Sequence, residues 1–381
     1  MISKSGIGFI GCGNISGTYF RLLPMFKNIE IIGCADLNQE VAQNQASEFG
    51  IRAMEIDDLL QNQDIDIIVN LTIPDAHFEV SKSILDAGKH VFSEKPLTLS
   101  LDDAMQLEEL ADSKGLLIGA SPDTFLGGAH QQARSLIDSG AIGRVTGGTC
   151  YIMNYGMEHW HPNPEFFYKK GGGPIFDLAP YYITNLINLI GPVQRVTALS
   201  STSNIERVIT SEERYGETIS VETPTTFHAV LEFENEILIS MGASWDVWNH
   251  GHPEMELYGT EGVLQIPDPN NFSGDLHISS KDGNFELVSK WDHPFNVENE
   301  EYDTGWIANY RSAGIADLAM AIRDNREARC HIQRPLHTVD IMTAIHKSAE
   351  TGRAIKISST CSRPDPLVPD EARTLIEEMN L

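Results

Sequence analysis

Gly6-Ile-Gly-Phe-Ile10-Gly11-Cys12-Gly13-Asn14-Ile15-Ser16-Gly17 opens on a short apolar run and bends through a glycine-rich turn into a helical pattern. Apolar residues fill Gly6–Ile10 as in a buried strand, and those of Ile15–Phe26 recur at helical spacing. Gly11 permits the tight turn between the two. Gly13 lets the backbone approach an anion held where the helix begins, because unpaired N–H groups and the helix dipole favour negative charge there. The third position of the G-x-G-x-x-G pattern is Ser16, still small enough for helix–strand packing. A second β-rich run, Ile29–Ala35, ends at Asp36, 20 residues beyond Ser16. A carboxylate there accepts both hydroxyls of a ribose and repels a 2′-phosphate, so the expected cofactor is NAD rather than NADP.

The same alternation continues outward. Gln39–Phe49 reads as a helix ended by Gly50, Ile65–Leu71 as a strand, and His77–Ala87 as a helix stopped by Gly88. His90–Phe92 is a short strand, Leu101–Ser113 a helix capped by Ser100, and Leu116–Ala120 a closing strand. Such alternation requires crossover connections and therefore a doubly wound parallel sheet, a Rossmann domain over residues 1–122. After Pro122 the pattern changes. One helix, Ala129–Ser139, precedes β-type runs at Val145–Tyr155, Val193–Ser203, Thr225–Phe233, Ile237–Trp245, Glu254–Tyr258 and Gly262–Ile266. Phe176–Ile190 has helical spacing, as do Trp306–Asp324 and Leu336–Thr351, the last ended by Gly352. Residues 123–381 are thus expected to form an α+β domain on an open-faced, mostly antiparallel sheet, giving α/β plus α+β overall.

Composition narrows the function classes. Fifty-four acids against 27 Lys and Arg leave a formal charge of −27, which repels nucleic acid and anionic membrane surfaces. No window offers the ~20 apolar residues of a membrane span, and the first residues read as a strand rather than a signal peptide. The five cysteines, Cys12, Cys34, Cys150, Cys330 and Cys361, are scattered without a C-x-x-C pair. They fit neither a disulfide framework nor a zinc site, and a reducing, cytoplasmic location is expected. No H-E-x-x-H or comparable ligand spacing occurs, so no metal is expected.

Two further segments carry chemistry. Ser93-Glu94-Lys95-Pro96 follows the strand His90–Phe92, at the end of the sheet that faces a ligand crevice. A lysine there can donate to a substrate oxygen, although the stretch alone also reads as a polar loop. Gly171-Gly-Gly173-Pro-Ile-Phe-Asp177-Leu-Ala-Pro180-Tyr181-Tyr182 combines close backbone approach with Asp177 and Tyr181 four apart on one helix face. From spacing alone, Asp177 equally suits an N-cap and Tyr181 a core position.

Taken together, the glycine turn, Thr72-Ile-Pro74-Asp-Ala-His77, Glu94-Lys95-Pro96, the Gly171–Tyr181 segment and Tyr258-Gly-Thr-Glu-Gly262 occur in the order and spacing of one family. The chain resembles the Gfo/Idh/MocA oxidoreductases, relatives of glucose–fructose oxidoreductase and inositol dehydrogenase. The resemblance implies a cofactor along Gly11, Gly13, Asn14, Ile15, Asp36, Thr72, Pro74, His77, Glu94 and Lys95. It implies catalysis by Lys95, Asp177 and Tyr181, with Tyr181 at the position of an acid/base that is usually histidine. Substrate contacts are expected from Asp123, His159, Trp160 and Tyr181, with His161 beside them. Where the family usually has Asn-Arg-Phe, this chain reads Asp123-Thr124-Phe125, so a carboxylate or hydroxyl replaces a cationic contact. Trp245, Trp248, His250 and His252 are read as structural.

The implied reaction moves a hydride from a secondary alcohol of a sugar, polyol or sugar derivative to nicotinamide while a base takes the hydroxyl proton. Free tyrosine titrates near pKa ~10, and an adjacent ammonium favours its phenolate, which makes Lys95 the expected helper of Tyr181. Two other readings stay open: a redox-neutral enzyme that keeps its NAD bound through oxidation and elimination or epimerisation, and a non-catalytic ligand-sensing regulator. A homodimer or homotetramer through the open sheet is expected, since an exposed sheet face needs cover.

Overall fold

The computed structural model describes residues 4–211, 214–281, 283–302 and 305–377. Five parallel strands form the first sheet: β1 (Ser5–Ile10), β2 (Ile29–Ala35), β3 (Ile67–Asn70), β4 (His90–Ser93) and β5 (Ile118–Ala120). Their order is β2-β1-β3-β4-β5. The strands are apolar along most of their length because helices cover both faces, and β3 is buried at every residue. Helices Gln39–Phe49 and Leu101–Lys114 start on Asn38 and Ser100, whose side chains accept from the N–H groups of Glu40 and Asp103, both at 3.1 Å. Each ends on a left-handed glycine, Gly50 or Gly115. The strand order reverses between β1 and β3, so the carboxyl ends of β1, β3 and β4 open one crevice.

The second sheet has nine strands. In spatial order they are Glu286–Leu287, His277–Ser280, Gly262–Ile266, Met255–Gly259, Val145–Met153, Leu238–Ser244, Thr226–Phe233, Val193–Ser201 and Ile355–Lys356. All neighbours are antiparallel except Val145–Met153 with Leu238–Ser244. Val196, Ala198, Leu231 and Ile239 alternate inward, under the helices Ala179–Ile190 and Gln333–Thr351. The opposite face is bare: Leu199, Val230 and Leu238 stand 71%, 44% and 51% exposed.

Three expectations need correction. Trp306–Asp324 is not one helix. Gly305–Ile307 pairs with Glu300–Tyr302, and the helix Ala313–Asp324 starts only after Ser312, whose φ of +102° breaks the pattern. Phe176–Ile190 is also interrupted: Gly173–Asp177 and Ala179–Ile190 meet at Leu178, because Pro180 needs a first-turn position where no N–H is required. The boundary at 122 separates the sheets but not the packing. Ala313, Ala316 and Leu318 join the apolar cluster of Phe9, Phe26 and Val69, and Asn28 donates its side-chain amide to Ala316 O at 2.9 Å. The helix Pro369–Leu375 returns to the same cluster.

Gly11 has φ +100°, and a Cβ there would sit 2.7 Å from the Leu71 carbonyl. Gly13 would meet nothing within 4 Å. Gly11→Ala should therefore cost about 2–4 kcal/mol in urea unfolding, from strain and overpacking. Gly13→Ala should stay within about 1 kcal/mol of the parent. Equal losses at both positions would contradict this account of the turn.

Candidate active site

The crevice narrows onto Lys95, where β4 delivers it. Lys95 Nζ donates to Asp177 Oδ1 at 2.8 Å and to the Asp177 carbonyl at 2.7 Å, and both side chains are largely enclosed. Burial disfavours the ammonium, but the charges of Asp177 and Tyr181 outweigh it and hold Lys95 protonated above the usual lysine range. Asp177 caps no helix; its carboxylate is spent on the lysine. Tyr181, 5% exposed, presents its ring 5.4 Å from Lys95 Nζ. All three line a cleft of about 440 Å³ with Thr72, Pro74, Glu94, Phe166, Phe167 and Arg311.

Glu94 anchors the same corner. Its carboxylate accepts from Tyr19 Oη at 2.6 Å and from Lys95 N at 2.8 Å, with Ser121 Oγ at 3.5 Å. The Thr72 loop is pinned in turn, since Asn70 Oδ1 accepts both the Thr72 hydroxyl at 2.7 Å and its N–H at 3.2 Å. His77 is buried and does not face the cleft. Its ring nitrogens lie 2.6 Å from Pro96 O and 2.9 Å from Thr72 O, tying the two loops together. Burial draws its pKa down against those two carbonyls.

Around the glycine turn, Ser16 Oγ donates to Gly13 O at 2.6 Å. Asp36 accepts from Cys12 N at 2.8 Å and Asn38 N at 2.9 Å, which fixes its carboxylate at the crevice end of β2. Ile15 lines the cleft itself. Asn14 lies between them in the turn, exposed to solvent.

The structure places three expected substrate contacts outside the cleft lining. Asp123 is 1% exposed, and its Oδ2 accepts from Ser312 N at 3.1 Å and Gly314 N at 3.0 Å. It holds a turn rather than lining the cleft. Trp160, 54% exposed, and His159 also lie outside the lining; His161 packs edge-on against Phe166 and Phe167, which do reach it. That wall rests on Arg207, which pairs with Glu158 at 2.7 Å and with Asp246 between the rings of Tyr155 and Tyr168. Trp245 is core, while Trp248 stacks on Tyr155 at the surface. Phe166, Phe167 and Arg311 were missed, and the apolar pair Phe166-Phe167 just before the triple glycine was their one sequence signal. Among the described residues no group of three or more His, Cys, Asp and Glu could hold a metal, and no helix is long and apolar enough to cross a membrane.

Comparison with known proteins agrees with this layout. Residues 5–121 match the model of the oxidoreductase family's NAD-binding Rossmann fold, and residues 130–265 match the GFO/IDH/MocA C-terminal domain. The chain is similar to dTDP-3,4-didehydro-2,6-dideoxy-alpha-D-glucose 3-reductase of Streptomyces violaceoruber, 36% identical over 144 residues, 36% of this chain and 41% of that protein. It is also similar to 1-carboxy-3-chloro-3,4-dihydroxycyclo hexa-1,5-diene dehydrogenase of Comamonas testosteroni, 26% identical over 80% of this chain and 72% of that one. The matches to several curated relatives span half of their length or less. Among solved structures, levoglucosan dehydrogenase in complex with NADH and L-sorbose shares the fold with a TM-score of 0.78 at 20% identity, over 93% of this chain and 99% of that one. With its two halves matched in order by the family's two domain models, the chain belongs to the Gfo/Idh/MocA oxidoreductases and carries their NAD-binding Rossmann domain.

Proposed function

We propose that this protein is an NAD-dependent dehydrogenase acting on a secondary alcohol of a sugar, polyol or sugar derivative. One observation carries the reading: Lys95 from the first half and Tyr181 and Asp177 from the second line a single cleft that opens on the glycine turn. The residues present fit the dinucleotide. The space a Cβ of Gly13 would enter is empty, and Asp36 stands ready for ribose hydroxyls. Leu37 and Ile73, 94% and 68% exposed, offer apolar surface beside the ends of β2 and β3. A bound nicotinamide would supply the hydride acceptor.

The chain's own groups do the rest. Tyr181 takes the hydroxyl proton of the substrate, and Lys95 donates to the oxygen left behind. Asp177 fixes the lysine rotamer through two contacts, so that little reorganisation precedes the reaction. Phe166, Phe167 and Phe176 keep water from the reacting carbon. All five cysteines are buried free thiols, in keeping with a reducing cytoplasm. A second copy of the chain is the proposed cover for the open sheet face at Leu199, Val230 and Leu238.

Tyr181→Phe should lower turnover about 10²–10⁴-fold with NADH affinity retained in fluorescence titration, and Lys95→Met should lower turnover by a similar factor. Near-parental turnover in either would remove that residue from its role. Asp177→Asn should give a smaller loss, read as kcat rather than KM. Asp36→Ser should weaken NAD binding roughly 10–100-fold while improving NADP binding; an unchanged cofactor preference would refute the ribose contact. Leu199→Asp together with Val230→Asp should shift sedimentation toward the monomer.

A further inference from the structure

Arg311 enters the cleft from an element far from the motif residues. It follows the strand Gly305–Ile307 and precedes Ser312, a buried serine at φ +102° that side chains rarely tolerate. Backbone strain of this kind persists only where the surroundings impose it. Here Asp123 imposes it by accepting the Ser312 and Gly314 N–H groups. Gly314 allows no substitute, because a Cβ would lie 2.8 Å from the Phe92 ring and 2.9 Å from Asp123 Cβ. The outcome of this locked turn is the direction of Arg311.

The guanidinium has little to bind within the chain. Its side chain is only 16% exposed, and its near carboxylate, Glu94, lies 3.6 Å away. Glu94 is already spent on Tyr19, Lys95 N and Ser121. Among the described residues the Arg311 side chain makes no hydrogen bond, although it carries five donors. Burial works against its charge, and Tyr181, Glu94, Tyr19 and Asp123 more than offset that. Lys169 and Lys170 stand exposed at the rim of the same cleft, without an ion pair among the described residues. The cleft is lined by four cations, Lys95, Lys169, Lys170 and Arg311, against Asp75, Glu94 and Asp177, in a chain of net charge −27. That leaves the cleft a small positive excess within an acidic chain, which favours a small anion there.

We propose that the substrate carries an anionic group, a carboxylate or a phosphate, which the Arg311 fork binds while Tyr181 meets the hydroxyl to be oxidised. A planar fork of paired N–H donors matches two oxygens of either group. Lys169 and Lys170 steer the anion to the mouth. Asp123 is then a positioning residue that returns a cation to the site from another element. The proposal rests on the dehydrogenase reading above and narrows its substrate class.

The test is steady-state oxidation with NAD of aldonates, uronates and sugar phosphates, each beside its neutral parent sugar. The parent enzyme should favour at least one anionic substrate over its neutral partner by ~10²-fold in kcat/KM, equivalent to about 2.7 kcal/mol. Arg311→Met should bring that ratio close to one, mainly through KM. Arg311→Lys should restore part of it for phosphates and less for carboxylates, which separates the two sources of charge. Lys169→Ala with Lys170→Ala should flatten the salt dependence for anionic substrates, and it serves if Arg311→Met fails to fold. Neutral sugars oxidised as well as acidic ones, or a preference that survives Arg311→Met, would overturn the proposal and leave the dehydrogenase reading standing. If nothing is oxidised, calorimetry on the NADH-loaded protein decides: acid-sugar binding lost in Arg311→Met supports it, and equal binding of charged and neutral ligands, or none, overturns it.

Discussion

The ammonium of Lys95 holds the two halves of the site in register. It comes from the end of β4, yet both of its hydrogen bonds go to one residue of the other half, the carboxylate and the carbonyl of Asp177. An enclosed ion pair gains little net stability over a packed apolar contact, but leaving one partner alone costs about 3–5 kcal/mol when burial is complete. Such a contact specifies position more than it adds strength. Tyr181 lies four residues beyond Asp177, just across the break at Leu178, and its ring comes to rest beside the same ammonium. On the other side, Glu94 is clamped by Tyr19 and by the Lys95 N–H, which leaves the backbone of the lysine no freedom to drift.

Much of this was legible in the sequence because it is local. The first sheet could be read strand by strand, since each strand is a short apolar run bounded by a glycine, a cap or a proline. Gly11, Gly13 and Asp36 declared the crevice for the same reason. The second sheet was legible as alternation, and its core strands were found within a residue or two. Failures cluster where a single φ value decides. The apolar spacing of Trp306–Asp324 continues across Ser312, but the chain does not, because hydrophobic periodicity carries no record of a left-handed residue held from a distance. The strand pairs Glu206–Val208 with Thr218–Ser220 and Glu300–Tyr302 with Gly305–Ile307 are polar and short, too short for a period to register.

The site shows the same division. Lys95, Asp177 and Tyr181 lie in compact motifs, and the structure brings them together. Asp123 lies in an equally compact motif and ends up elsewhere, because its two nearest donors, the N–H groups of Ser312 and Gly314, are brought in from late in the chain. Its residue type pointed to a polar contact at the end of β5, but nothing local distinguished a ligand from a buried turn. Arg311 had no motif at all. Its placement depends on Asp123, Ser312 and Gly314 acting together, a dependence visible only once the fold closes.

The charges around Tyr181 bear on why a phenol stands where imidazole is usual in the family. A neutral imidazole that accepts a proton becomes a cation, and here it would do so beside Lys95 and within the field of Arg311. A phenolate that accepts a proton becomes neutral, while the negative charge passes to the substrate oxygen that Lys95 also faces. On the proposed reaction proton transfer then moves a negative charge without creating a new cation, and the same two cations face the charge at both ends of the step. The charge of an anionic substrate would otherwise oppose the formation of an alkoxide a few bonds away. Arg311 neutralises that group and leaves Lys95 free for the oxygen that reacts.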